Sequence, residues 1–270
     1  MLENIKATTN YIINKIQTKP KISIVLGSGL NELLNEMEIN TTIPYSEIPN
    51  FPLSTVEGHE GKLVFGKLNK VDIMAMKGRF HYYEGYDMKQ ITFPIRIMKA
   101  LGVENLIVSN AAGGLNQDFN VGNIMLINDH INLFPEHPLR GKNESCLGLR
   151  FPDMGEVYDK ELIKKVEAIA ESKNIAIKKG VYVGVSGPTY ETPAEYRMFH
   201  ILGGDCVGMS TVPEVIVARH AAMKCVGFSV ITDMWRSQNT QEVSHEDVLL
   251  QAAKAEPFLS AIIKELVLKI

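Results

Sequence analysis

Cysteine is scarce. The chain has three in 270 residues, Cys146, Cys206 and Cys225, an odd number with no CxxC spacing. That excludes a disulfide framework and argues against a structural zinc site, and free thiols suit a reducing compartment. The seven histidines form no HxxxH or HxH pair, so no metal constellation is expected. No stretch approaches the ~20 apolar residues of a membrane span. The opening MLENIKATTNYIINKI carries Glu3 and lacks a continuous apolar centre, so it does not read as a signal peptide. A cytoplasmic location is the expectation.

Charge of one sign is also missing. Lys plus Arg is 28 and Asp plus Glu 31, a net charge of −3. This argues against a nucleic-acid partner or an anionic membrane surface, but a few local donors can still bind a small anion. There is no repeat, low-complexity tract or Pro/Gly/Ser linker, so residues 1–270 read as one domain. With 45% hydrophobic and 22% charged residues the chain is neither disordered nor collagen-like.

What is present is alternation. Apolar runs at residues 21–26, 71–76, 105–109, 180–185 and 226–231 read as strands. Each ends in a small or polar segment: 27–30, 77–81, 110–114, 186–192 and 232–235. Helical patterns fill 90–101, 160–173, 193–202, 213–224 and 245–268, and Leu2, Ile5, Ile12, Ile13 and Ile16 suggest an amphipathic first helix. The expected fold is α/β: a single domain with a mostly parallel mixed twisted sheet, covered by helices on both faces. In open sheets of this kind ligands sit beyond the carboxyl ends of the strands, so five polar strand ends predict one crevice.

The segments differ in chemistry. Gly27-Ser28-Gly29-Leu30 opens an expected helix and offers backbone N–H groups and a hydroxyl to an anion. It fits neither the dinucleotide fingerprint, since Glu32 occupies its last glycine position, nor the P-loop; a simple tight turn explains it as well. Gly78–Tyr86 packs Arg79, His81, Tyr83 and Glu84 into nine residues, and an Arg fork with a neighbouring His can hold an oxyanion. His59 reads equally as a turn residue. Asn110–Gly114 is a small-residue strand end, read as a tight turn that lets a ligand approach the backbone. In Gly187–Pro193, Tyr190 can stack on a flat heterocycle and Glu191 can accept from its N–H edge, while Thr192 and Pro193 start a helix. Gly208–Glu214 supplies Met209 and Ser210; by itself it is an ordinary capped helix start. Asp233 at a strand end is easier to explain by a ligand than by unpaired burial. Ser244 and Asp247 read as a capping box that leaves His245 pointing outward.

Together and in this order, Gly78–Tyr86, Asn110–Gly114, Gly187–Pro193 and Gly208–Glu214 resemble the homotrimeric purine nucleoside phosphorylases, from about Ile22 to the final helix. The resemblance implies reversible cleavage of purine nucleosides by phosphate to free base and (deoxy)ribose 1-phosphate, with no metal or organic cofactor. It implies that Ser28, Arg79, His81, the Ala111 N–H and Ser210 hold phosphate. Tyr83 and Met209 would line the sugar pocket, and His245 would face the 5′-hydroxyl. Tyr190, Glu191 and Asp233 would meet the base, and His81, Glu191 and Asp233 are the expected catalytic groups. Phe151 would reach a neighbouring subunit's site in a homotrimer. Arg79→Ala is expected to cut turnover with the fold intact. One departure is Asp233, where the 6-oxopurine branch carries Asn; it predicts adenosine use besides inosine and guanosine. The alternatives are a 5′-methylthioadenosine phosphorylase, disfavoured by Glu191, His245 and Trp235, and a nucleoside-binding protein without turnover. Residues 235–240 are a candidate gate.

Overall fold

Ile22–Leu26 form β1, and all five residues are buried. A strand buried on both faces needs covered neighbours on both edges. β1 has two, pairing in parallel with β4 (Val71–Lys77) and β5 (Asn105–Gly114). This is a computed structural model that describes residues 1–27, 31–53, 61–235 and 244–270.

Beyond β4 the sheet continues antiparallel through β3 (Lys62–Leu68) to β2 (Glu38–Pro44). The β3–β4 hairpin turns on Asn69 and Lys70, at φ 50° and 69°. Two consecutive positive φ values are the backbone of a type I′ turn, whose twist matches its strands. On the other side β5 runs parallel to β9 (Lys224–Met234), which pairs antiparallel with β6 (Ile124–Asn132). From β6 the pairing passes to β7 (Ile177–Gly184), then β8 (Cys206–Gly208), and β8 returns to β5. These five strands close on themselves, and β2, β3, β4 and β1 extend from them as an open wing.

The helices are α1 (Leu2–Ile13), α2 (Met88–Ile91), α3 (Phe93–Ala100), α4 (Lys160–Ser172), α5 (Pro193–Ile201), α6 (Val212–His220) and α7 (His245–Val267). Among the packed helix pairs are α1 on α3, α3 on α6 and α4 on α7. The chain is thus a single-domain α/β fold with a mixed sheet flanked by helices. Among the described residues no helix is long and apolar enough to cross a membrane.

Several expectations need correction. The helix expected over 90–101 is broken at Thr92, because Pro94 lacks an N–H and clashes with the preceding turn; it opens α3 instead. α1 buries Ile5 and Ile12 with Thr8 and Thr9, while Leu2 and Ile13 face solvent. No α-helix follows Gly27 in the described residues; the next element is a 3-10 turn over Glu32–Glu36, and 28–30 lie outside them. β2, β3, β6 and β8 have no counterpart in the sequence reading. Nor is Asn110–Gly114 a turn: it is the second half of β5. Its small side chains allow close packing on β9, with a bulge between Ala112 and Gly113. The sheet is also not simply open, since β8 and β6 close it.

Candidate active site

Four of the five polar strand ends meet in one open cleft. It is lined by Arg79, His81 and Tyr83 beyond β4, by Asn110–Gly113 of β5, and by Tyr190 and Glu191 beyond β7. Val207–Ser210, Thr232, Asp233, His245 and Val248 complete it. The fifth, at Ser28, lies outside the described residues, as do His59 and residues 236–240 of the candidate gate. Phe151 is elsewhere: it is 84% exposed and lines a separate surface cavity with Arg140 and Ile216.

One end of the cleft suits an anion. Arg79 is 1% exposed. Its Nε and Nη2 donate to the two oxygens of Glu214 at 3.3 and 2.8 Å, and Nη1 donates to the Ser109 carbonyl at 2.7 Å. The fork expected to grip an oxyanion therefore grips a buried carboxylate. Arg79 is thus held in place before any ligand arrives, with the Nε–Nη2 edge of its fork occupied by Glu214.

His81 is buried, and burial lowers its pKa, partly opposed by its bond to Glu84. Its Nδ1 lies 3.1 Å from Glu84 Oε1, and the same oxygen accepts the His81 backbone N–H at 2.7 Å. A carboxylate can only accept, so Nδ1 carries the proton. In the neutral ring Nε2 is then an acceptor. It donates to an oxyanion only in the doubly protonated ring, which a bound anion favours. Tyr83 stacks on His81 at 4.7 Å with the rings 13° apart. Burial pushes the Tyr83 phenol up to about 12, so it is a neutral hydroxyl.

The other end suits a heterocycle. Tyr190, Glu191 and Asp233 lie close enough to perturb one another electrostatically. Burial raises the pKa of Glu191, with Asp233 adding to it. Burial also raises Asp233, against a 3.0 Å hydrogen bond from Thr232 Oγ1. Gly113 makes room for that carboxylate, since a Cβ there would stand 2.9 Å from Asp233 Oδ2. Trp235 stacks on Tyr196 behind them at 6.4 Å. The local starts are as expected: Thr192 and Glu195 form a capping box on α5, and Ser244 Oγ accepts from Asp247 N at 3.1 Å on α7. Asp247 differs in one detail, accepting the Ser244 hydroxyl at 2.6 Å.

Sequence reasoning assigned no role to Asn110, Thr232 or Glu214. In the sequence Asn110 is one member of a small-residue segment, and its place immediately before Ala111 on a strand is the available signal.

Residues 21–268 match the model of the phosphorylase superfamily. Purine nucleoside phosphorylase 1 of Geobacillus stearothermophilus is 50% identical over 266 residues, 97% of either chain. A Schistosoma purine nucleoside phosphorylase in complex with hypoxanthine superposes with a TM-score of 0.95 at 39% identity, over 100% of this chain and 98% of that one. The Schistosoma mansoni enzyme in complex with adenosine gives 0.94 at 39% identity, with the same coverage.

Proposed function

The chain belongs to the phosphorylase superfamily and carries out purine nucleoside phosphorolysis; from that premise we propose which residues do what and which bases are used. Phosphate sits at the Arg79 end, against Arg79, His81, the Ala111 N–H and Ser210; Ser28, outside the described residues, is assigned to phosphate on the resemblance alone. Tyr83, Met209 and His245 hold the sugar. Tyr190 stacks on the base, Glu191 accepts from its N1 edge, and Asp233 faces N7 and position 6. Phosphate is the co-substrate, and no metal or organic cofactor enters.

The observation that carries this is that Arg79, His81 and Ser210, suited to an anion, and Tyr190, Glu191 and Asp233, suited to a heterocycle, line one cleft. The chemistry follows. As the C1′–N9 bond breaks, its electron pair moves onto the purine and the sugar becomes oxocarbenium-like. A phosphate oxygen then bonds C1′. Protonated Asp233 can donate to N7 or O6 of the leaving base, help that typically contributes ~10²–10⁴-fold. The remainder is positioning and preorganised charge.

Inosine and guanosine are the principal substrates in this reading. Adenosine is tolerated, because an Asp233 carboxylate can accept from a 6-amino group. Adenosine bound to the Schistosoma mansoni relative supports this. The test is base release from inosine, guanosine, adenosine and 5′-methylthioadenosine, with and without phosphate. Release from the first three only with phosphate is expected, and 5′-methylthioadenosine should be poor because His245 faces a hydroxyl. Nucleoside binding without turnover would overturn the residue assignment.

The exposure of Phe151 fits a side chain that completes a neighbour's site in a homotrimer. Phe151→Ala should raise the nucleoside KM about tenfold, the loss of one aromatic contact, with thermal stability nearly unchanged. Steady-state kinetics with a melting curve checks this; an unaltered KM would detach Phe151 from the site. The free thiols Cys146, Cys206 and Cys225 fit a cytoplasmic setting.

A further inference from the structure

Behind Ser210 the backbone is strained. Thr211 has φ 67° and ψ −55°, a conformation that β-branched residues rarely adopt. The Val212 N–H donates to the Ser210 carbonyl at 2.7 Å, closing the strained form of the γ-turn. Such a residue persists only where its surroundings over-determine it, and such places cluster at functional sites. Thr211 is fully buried and stands at the N-cap of α6, yet its side chain makes no cap bond. This corrects the reading of Gly208–Glu214 as an ordinary capped start.

The Thr211 hydroxyl has other partners. Asn110 Nδ2 donates to Thr211 Oγ1 at 2.8 Å, and Thr211 Oγ1 lies 3.1 Å from Ser210 Oγ. An amide NH₂ can only donate, so Thr211 Oγ1 is the acceptor of that bond. Its own proton is then available to Ser210 Oγ, which leaves the Ser210 proton for a ligand or for the Tyr182 hydroxyl, to which the Ser210 side chain is also hydrogen-bonded. The Ser210 N–H is tied back to the Tyr182 hydroxyl at 3.3 Å. Ser210 and Asn110 both line the cleft, and Asn110 Oδ1 is buried with no partner among the described residues.

We propose that Asn110 and Thr211 are positioning residues: a one-way chain of hydrogen bonds, Asn110 to Thr211 to Ser210, turns the Ser210 hydroxyl into a committed donor to phosphate. The geometry around Thr211 is strained because the hydroxyl must face β5 and Ser210 together. Each bond in the chain polarises the next, so Ser210 donates more strongly than a freely rotating hydroxyl. The proposal rests on the reading of Ser210 as a phosphate contact.

The test is steady-state kinetics in phosphate and in inosine, each varied at saturating levels of the other. Thr211→Val should raise the phosphate KM about tenfold and leave the inosine KM within about twofold, the scale of one lost hydrogen bond. Thr211→Ser, which keeps the hydroxyl, should restore most of the phosphate affinity. Asn110→Ala should resemble Thr211→Val, and the double variant should be no worse than either alone, as for members of one chain. If valine cannot fold at this φ, Asn110→Ala carries the same test. An unchanged phosphate KM, a parallel rise in both KM values, or effects that multiply would overturn the proposal. Ser210→Ala separates the two levels. If it leaves the phosphate KM unchanged, the phosphate assignment itself fails; if it raises that KM while Thr211→Val and Asn110→Ala do not, only the chain fails.

Discussion

Arg79→Ala should lower kcat/KM for phosphorolysis by about 10²–10³, the usual cost of removing one preorganised charge from a site of developing charge. It should also destabilise the protein, contrary to the sequence expectation of an intact fold. Arg79 and Glu214 are 1% and 7% exposed at their side chains and pair at 2.8 Å. Removing one partner of a buried pair leaves the other unpaired, at a cost of about 3–5 kcal/mol. For a chain of this size that is a fall in Tm of roughly 10 °C. The two effects can be separated. Replacing both residues, as Arg79→Met with Glu214→Leu, should recover most of the stability and none of the activity. Melting curves beside kcat/KM decide the matter: a single variant with native Tm would show the pair to be solvated. Near-normal turnover in a folded variant would remove Arg79 from the mechanism.

Asp233→Asn should shift base preference by about 10²-fold or more, combining a gain on 6-oxopurines with a loss on adenosine. Asparagine donates to O6 and accepts from N7–H at once. An ionised aspartate only accepts, which suits a 6-amino group and repels O6. Burial holds the Asp233 carboxyl above its usual range, so its protonated, donating form persists to higher pH than in an exposed aspartate. As pH rises through that raised pKa the donor is lost. The kcat/KM ratio of adenosine to inosine should therefore climb with pH in the native enzyme and flatten in Asp233→Asn. A ratio that ignores both the substitution and pH would show that Asp233 does not read position 6. Undetectable adenosine cleavage by the native enzyme would end the broader-base idea.

Much of the fold was legible because its signals are local. Ile22–Leu26 is a continuous apolar run, Thr192-Pro193 and Ser244-His245 carry helix-start chemistry, and each became the element it announced. The losses were also local in origin. Lys62–Leu68 lacks clean alternation and its turn is Asn-Lys, which hid a type I′ hairpin. Asn110–Gly114 has turn-like composition, yet it is strand because β9 lies alongside and the missing side chains permit close approach.

Ten of the proposed contact residues line one cleft, from Arg79 to His245. Their types were readable because each type has one plain chemical use: guanidinium for anions, aromatic for rings, carboxylate for N–H edges. Their actual partners were not. Arg79 meets Glu214 across 135 residues and Asn110 meets Thr211 across 101.

The sequence by itself thus determined the alternation of elements and the chemical repertoire at the strand ends, since hydrophobic runs, caps and side-chain functional groups are properties of neighbours in the chain. Only the tertiary structure decided that β5, β8, β7, β6 and β9 close on themselves, that Arg79 is ion-paired with Glu214, and that a strained Thr211 stands behind Ser210. Those outcomes depend on which distant groups are buried together, and pairing buried charge or polar hydrogen is settled by packing, on which local spacing has no bearing.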